Sequence, residues 1–340
     1  MRVLVSGAAG FIGSHVVDAL AERGASVIGL DSLDSGVYNA PPPYLHTDVD
    51  YCFSDLRWWK PDERFEDVEA VVHLAAVGGV GRAAREPANV IEANAMGTAR
   101  LMDAAQKMPH LKRFILISSF SVYGANYTYR CPQCGAMRDA SRRIEDLDAN
   151  RFEVYCVQCG SAVEVLPITE STSPNPLEIY GASKYMQELC LRNFSHSAVH
   201  ILRLSSVYGQ RLRLDDGEAT IIARLAGWIR SAQRPPIFDD GKQHRDWVYV
   251  GDVVDAALAL LEGKSAPPLV NVCTGVPTTL LQACELLQVA LKSDVQPQIV
   301  GGYRAGDMRH CLGDPATVTR LLGRAPIPFT QGVHLAFGVD

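Results

Sequence analysis

The sequence predicts a doubly wound α/β fold, a parallel sheet covered by helices on both faces, with a smaller C-terminal lobe and an inserted cysteine-rich module. Three observations predict it. Short β-branched runs alternate with amphipathic stretches from the first residue, a glycine-rich turn joins the first run to the first helix, and two Cys-x-x-Cys pairs interrupt the pattern within residues 126–166. The 340 residues, 47% of them hydrophobic, suffice for one large domain or two of ordinary size.

The first strand, Arg2-Val3-Leu4-Val5, leads through Gly7 into a helix ending near Arg23, and Ser26-Val27-Ile28-Gly29-Leu30 is the second strand. Ala70-Val71-Val72-His73-Leu74, Arg113-Phe114-Ile115-Leu116-Ile117 and Val199-His200-Ile201-Leu202-Arg203-Leu204 continue the series. Runs this apolar suit strands buried on both faces. Beyond Gly209 the rhythm loosens into helices over 219–230, 253–262 and 280–291, expected to build a lobe that closes over a ligand. The expected division is 1–209 for the sheet domain, with 126–166 inserted, and 210–340 mainly for the second lobe, some segments returning to the first. Pro41-Pro42-Pro43 reads as a stiff surface connection.

The stretch ending in Ala19-Leu20-Ala21 has the outline of a secretion signal, but Gly7, Gly10, Gly13, His15 and Asp18 break its apolar run. Other apolar runs stop well short of the roughly 18 residues that a membrane span needs. A net charge of −6 argues against general attraction to nucleic acid or anionic membrane, and nine cysteines, an odd number, argue against a disulfide framework. The expectation is a cytoplasmic protein with no nucleic-acid or membrane partner.

Gly7-Ala8-Ala9-Gly10-Phe11-Ile12-Gly13 follows a strand and opens a helix, so backbone amides and the helix dipole face a pyrophosphate. Eighteen residues after Gly13, Asp31 ends the next strand, where a carboxylate accepts both ribose hydroxyls of an adenosine. Its charge repels a 2′-phosphate and Ser32-Leu33 offers no cation in compensation, which favours NAD over NADP. Asp55, before Leu56, is either a cap for the adenine amine or an ordinary loop acid.

Tyr180 and Lys184 stand four apart in Tyr180-Gly181-Ala182-Ser183-Lys184, on one face of a helix. A free phenol titrates near 10, so it acts as a base at neutral pH only beside positive charge, here Lys184 and an oxidised nicotinamide. Ser119, just past a strand, is either a hydrogen-bonding partner of the same substrate oxygen or a plain loop serine.

Cys131-Pro132-Gln133-Cys134-Gly135 and Cys156-Val157-Gln158-Cys159-Gly160 form two knuckles, with 21 residues between Cys134 and Cys156. That spacing gathers four thiolates around one tetrahedral Zn²⁺, which is structural because four cysteines leave no open position for water. The alternative, a reactive dithiol pair, lacks a thioredoxin-like context. Residues 131–160 carry four basic and five acidic side chains, a charge that serves nucleic acid poorly.

Almost end to end, the chain resembles the extended short-chain dehydrogenase/reductase family, in particular its NAD-dependent nucleotide-sugar epimerase and dehydratase group. Besides the glycine turn, His73-Leu74-Ala75-Ala76, Asn94 with Gly97-Thr98, Ser118-Ser119 with Val122-Tyr123-Gly124, and residues 180–184 carry the resemblance. It continues in Arg203 with Val207-Tyr208-Gly209, Arg245-Asp246-Trp247-Val248-Tyr249-Val250, Asn271-Val272 with Thr274-Gly275, and Arg304-Ala305-Gly306-Asp307. The resemblance implies a Rossmann-like fold holding NAD through Gly7, Gly10, Phe11, Ile12, Gly13, Asp31, Asp55, Leu56, Leu74, Ala75, Ala76 and Lys184. It also implies that Tyr180 takes the proton, Lys184 tunes it and binds ribose, Ser119 assists, and Asn94 holds the catalytic helix. Arg245 and Arg304 match arginines that grip a sugar-nucleotide diphosphate. Ser121, Ser206 and Asp307 join them in the substrate site, and a homodimer is expected.

In the similar 4,6-dehydratases and decarboxylases an acid stands two residues after the Ser119 position, where this chain has Ser121. The resemblance without that carboxylate implies epimerisation at C4: hydride leaves for NAD, the 4-keto sugar rotates, and hydride returns to the other face. A dehydratase, reductase or decarboxylase is the alternative, and a catalytically silent NAD-sensing protein a more distant one. Relatives restricted to plain hexoses carry a bulky residue seven places after the Arg304 position. Here it is Cys311, which either leaves room for an N-acetyl group or is just a small core residue. Ser205-Ser206 replaces the usual Phe-Asn and removes an amide that often contacts the substrate phosphates. The insertion joins the Ser119 and Tyr180 segments, so it is expected near the substrate mouth as a lid or dimer contact.

Overall fold

Neighbouring residues of a doubly covered strand bury their side chains on opposite faces of a sheet. Val3 and Leu4 do this in the computed structural model, entering two separate hydrophobic cores. The structure describes residues 1–124, 128–138, 142–195, 197–214, 220–303 and 308–339.

In chain order, β1 (Arg2–Ser6), α1 (Phe11–Glu22), β2 (Ser26–Asp31), β3 (Asp50–Phe53) and β4 (Ala70–His73) come first. Next are α2 (Val80–Arg85), α3 (Pro87–Ile91), a π-helical turn (Glu92–Met96), α4 (Gly97–Ala105) and β5 (Arg113–Ser119). The insertion contributes β6 (Tyr129–Arg130), β7 (Met137–Arg138), α5 (Ile144–Asp148) and β8 (Glu164–Val165). After it come α6 (Ile179–Leu191), β9 (Ala198–Leu204), β10 (Ser206–Tyr208), α7 (Ile221–Arg230), β11 (Pro236–Ile237) and β12 (His244–Tyr249). The chain ends with α8 (Val250–Leu261), β13 (Leu269–Val272), β14 (Pro277–Thr279), α9 (Leu280–Ala290), β15 (Gln298–Ile299), α10 (Ala316–Leu322) and α11 (Phe329–Phe337).

Seven strands form one sheet in the order β3-β2-β1-β4-β5-β9-β13, with every neighbouring pair parallel. On one face Val5, Val72 and Ile115 pack with Val16 of α1 and Val253 of α8. On the other, Leu30, Val71 and Phe114 pack with Leu101 of α4 and Leu191 of α6. Strand order reverses between β1 and β4, so the loops leaving their carboxyl ends diverge and open a crevice. The glycine turn and the segment after His73 both emerge there.

The smaller lobe has its own core, with Trp247 of β12, Ile222 of α7, Leu287 of α9 and Phe329 of α11. α8 starts three residues before the expected 253, because extended Tyr249 hands the chain straight from β12 into the helix. The expected helix over 219–230 starts at Ile221, behind the extended backbone of Thr220, and residue 219 lies outside the described part. β13 returns from the second half of the chain to complete the large sheet, paired with β9. In the insertion β6 lies between β7 and β8, antiparallel to both. Among the described residues, no helix is long and apolar enough to cross a membrane.

Candidate active site

The glycine turn is shaped by close approach. Gly7 adopts φ +74°, and a Cβ there would lie 2.7 Å from the Ala75 nitrogen, while one on Gly13 would lie 1.9 Å from the Gly7 carbonyl oxygen. Only glycines let β1, α1 and the loop after β4 meet this tightly. Gly10 caps α1 with no side-chain hydrogen bond, so the first-turn amides of Phe11, Ile12 and Gly13 remain for a ligand. Beside them, Asp31 accepts hydrogen bonds from the amides of Ala9 and Leu33, each at 2.9 Å. Burial pushes its carboxyl up, and these bonds pull it back.

Two tyrosines that sequence reasoning missed, Tyr38 and Tyr44, donate to the Ala9 carbonyl at 2.9 and 3.0 Å. Arg82 of α2 reaches across to Asp34 at 2.8 Å, tying the loop after β4 to the loop after β2. Asp55 is paired: Arg57 holds both of its carboxylate oxygens and keeps its carboxyl below the usual range. Leu56 is buried under Gly97. The Leu74 amide donates to the Ser6 carbonyl at 2.9 Å, Ala75 stands over Gly7, and Ala76 is exposed.

Tyr180 and Lys184 lie on α6, whose first turn is fixed by Glu178, accepting from the amides of Tyr180 at 2.7 Å and Gly181 at 2.9 Å. A side chain at Gly181 would meet the Ser121 carbonyl at 2.5 Å, so the loop after β5 rests directly on α6. Ser119 closes β5, and its hydroxyl accepts from the Ser121 amide at 3.1 Å. Burial, then the charge of Glu178, pushes the Tyr180 phenol up to about 12, while the Ser119 hydroxyl works in the opposite sense. Burial pulls the Lys184 ammonium down to about 7, opposed by the charge of Glu188.

Asn94 ties this helix to the loop after β4. Its side chain accepts from the Val77 amide at 2.7 Å and donates to the Val77 carbonyl at 3.1 Å and to the Ser183 hydroxyl at 2.8 Å. Ser183 in turn donates to the Tyr180 carbonyl at 2.8 Å. A second buried network lies beneath: Lys184 donates to Gln187, Gln187 to Thr98 at 2.7 Å, and His73 sits 2.8 Å from Thr98 and 2.6 Å from Ser6. Full burial, and then the charge of Lys184, pulls His73 down to about 3, so it is a neutral strut.

Of the expected substrate contacts, Arg245 lies on β12, its guanidinium donating to the carbonyls of His244 at 2.8 Å and Arg309 at 3.2 Å. Ser206 opens β10 opposite Trp247. Cys311 is buried with Phe120, the neighbour of Ser119, in one cluster. Arg304 and Asp307 lie outside the described residues.

In the insertion the four thiols converge. Sγ of Cys131 is 3.4 Å from that of Cys159, Sγ of Cys134 is 3.5 Å from that of Cys156, and all four lie within 4.8 Å of one another. Zn–S bonds of about 2.3 Å at tetrahedral angles separate sulfurs by about 3.8 Å. The two knuckles repeat one geometry: the amides of Gly135 and Gly160 donate to the carbonyls of Cys131 and Cys156, each at 2.9 Å, with φ +73° at both glycines.

The sequence model of the NAD dependent epimerase/dehydratase family matches residues 3–143 and 144–273. A dTDP-L-rhamnose 4-epimerase of Burkholderia thailandensis is 30% identical over 337 residues, covering 96% of this chain and 90% of that protein. Among solved structures, a UDP-glucose 4-epimerase of Thermotoga maritima with UDP-glucose superposes with a TM-score of 0.76 at 30% identity, covering 99% of this chain and 97% of the other. A UDP-N-acetylglucosamine 4-epimerase of Methanobrevibacter ruminantium in complex with UDP-N-acetylmuramic acid gives 0.78 at 26% identity, covering 99% and 96%.

Proposed function

We propose, from the premise that the chain belongs to the NAD dependent epimerase/dehydratase family, that it inverts C4 of a nucleotide-diphosphate sugar through a 4-keto intermediate. The carrying observation is the assembly of Tyr180, Lys184 and Ser119 beside the crevice, with Asn94 bonding both the helix of the first two and the cofactor loop. Bound NAD supplies the capacity to take a hydride from C4 and to give it back. Ionised Tyr180 accepts the C4 hydroxyl proton, Ser119 hydrogen-bonds the same oxygen, and Lys184 stabilises the phenolate and reaches the ribose. Asp31 orients the adenosine ribose, and the first-turn amides of α1 hold the pyrophosphate. Arg245 and Arg304 hold the sugar-nucleotide diphosphate.

Elimination and decarboxylation are disfavoured because position 121 offers a serine hydroxyl rather than a carboxylate. Small Cys311 favours acceptance of an N-acetyl group, a reading supported by likeness to an enzyme named for UDP-N-acetylglucosamine. Residues 1–209 bind the cofactor with β13 completing their sheet, and the remaining lobe binds the sugar nucleotide. The four cysteines hold a structural Zn²⁺, and two copies of the chain form a dimer.

The test is incubation of the purified, NAD-containing protein with UDP-glucose, UDP-N-acetylglucosamine and dTDP-L-rhamnose, products being identified by NMR. C4 epimers are expected with no net NADH. Loss of water or carbon dioxide from the sugar, or steadily accumulating NADH, rejects the proposal, and metal analysis finding no zinc rejects the ribbon assignment.

A further inference from the structure

The insertion is bound to the substrate lobe by polar contacts that are buried or part-buried. Glu153 accepts from Arg309 Nε at 3.1 Å and lies 3.0 Å from His310 Nε2. His310 Nδ1 accepts from the His244 amide at 3.1 Å, so the ring carries its proton on Nε2 and donates it to Glu153. Arg309 is fully buried, and Asp240 at 2.8 Å and Asp239 at 3.5 Å complete its charge balance. From the insertion side, Arg142 pairs with the same Asp239 at 2.6 Å, and both side chains are at least nine-tenths buried. Tyr129 of β6 meets the backbone of His310 at 3.3 Å through its hydroxyl.

What these contacts hold is the wall of the expected sugar site. The Arg309 carbonyl is a hydrogen-bond acceptor for Arg245, and the Cys311 amide donates to the His244 carbonyl at 3.2 Å. Residues 308–311 directly follow the arginine segment 304–307. Two metal-site cysteines, Cys131 and Cys156, are buried in the same cluster as Cys311 and Phe120. Metal site, docking residues and sugar wall are therefore one packed unit, and loosening the first frees the last.

We infer that the metal-closed ribbon is a positioning device for residues 308–311, with Glu153 as its contact, and that it sets affinity for the sugar nucleotide without entering the chemistry. The affinity part rests on the function proposed above; the mechanical part does not.

Both parts are tested on the NAD- and zinc-loaded full chain, before and after zinc removal with a chelator, and on Glu153→Ala, Glu153→Gln, Arg142→Ala and the knuckle-tip control Val157→Ala. Hydrogen exchange over 308–313 and 244–246 reports the clasp directly, and KM and kcat for the accepted sugar nucleotide report its consequence. Zinc removal, Glu153→Ala and Arg142→Ala are expected to speed exchange in both segments and raise KM about tenfold with kcat within about twofold. Glu153→Gln, which keeps an acceptor for Arg309 and loses the charge, falls between, and Val157→Ala matches the unmodified protein. Exchange unchanged after zinc removal or in Glu153→Ala overturns the clasp, and faster exchange with unchanged KM overturns its role in affinity. Should no sugar nucleotide be turned over, the proposed function fails while the exchange comparison still decides the clasp.

Discussion

Replacing Lys184 by methionine tests whether the phenol of Tyr180 acts as a base. In the protein alone, burial and Glu178 put that phenol up to about 12, so at pH 8 only about one in 10⁴ is ionised. Bringing it near 8 takes about four pKa units, or about 5 kcal/mol. A unit charge about 5 Å away at an effective dielectric of about 20 supplies about 3 kcal/mol, and residues four apart on a helix lie at about that separation. One cation therefore falls short, whereas Lys184 and a positively charged nicotinamide together suffice. Burial pulls Lys184 itself to about 7, so phenolate and ammonium stabilise each other and the ascending limb of the rate profile belongs to the pair.

Lys184→Met should move that limb of kcat up by about 2 pH units and cut kcat at pH 7.5 by about a hundredfold. The fold should survive, because a buried cation is replaced by an apolar chain of similar length. The assay is the pH dependence of kcat from pH 6 to 10 on NAD-loaded enzyme with saturating sugar nucleotide, beside Tyr180→Phe, which should lose about 10²–10⁴ at every pH. A limb at the same pH in Lys184→Met and the unmodified enzyme would refute the electrostatic account.

Further perturbations probe the scaffold. His73 is held down at about 3 by burial, so between about pH 6.5 and 3 the unfolded chain binds a proton that the folded chain refuses. Stability therefore falls on acidification, by about 1.4 kcal/mol per unit, or about 2 kcal/mol from pH 6.5 to 5; urea midpoints should show this, with a flatter slope in His73→Asn. Asn94→Ala strands the part-buried Val77 amide and removes the bond to Ser183, and should cost about 1–3 kcal/mol with a loss of kcat, read by thermal unfolding and rate assay. Gly13→Ala drives a Cβ to within 1.9 Å of the Gly7 carbonyl; the overpacking costs about 1–3 kcal/mol, and the protein should purify depleted of NAD by its absorbance at 260 nm.

The legible parts of the site were those written in short spacings. Gly7 to Asp31 spans one strand, turn, helix and strand, and Tyr180 with Lys184 is one helical turn, so local periodicity suffices to place them. Even the convergence of the four thiols follows from two local knuckles. Glu178 was missed although its signature is also local, an acidic residue just before a helix whose first amides need acceptors. The Asp55–Arg57 pair is likewise local, two residues apart, and the sequence reading did not foresee it. The network of His73, Thr98 and Gln187 is different in kind. Its members lie between 25 and 114 residues apart with no local spacing to link them, and only the packing of α4 and α6 on the sheet brings them into contact.

Charge counting hid the clasp of the insertion for a related reason. Four basic and five acidic residues over 131–160 describe a nearly neutral module, yet Arg142 is almost fully buried and Glu153 partly so; they meet Asp239 and Arg309 from a sequence distance of 97 and 156 residues. A buried ionic cluster contributes little net stability when complete, because desolvation offsets attraction, but removing one partner leaves an uncompensated charge at a cost of about 3–5 kcal/mol. Arg309 is fully buried among three carboxylates, one of them supplied by the insertion. Excision of the insertion therefore cannot be silent, whatever its four cysteines hold. It would take Glu153 from Arg309 and Arg142 from Asp239 at once, in the loop segment whose carbonyl supports Arg245, and that makes the insertion part of the smaller lobe's electrostatics rather than an appendage to it.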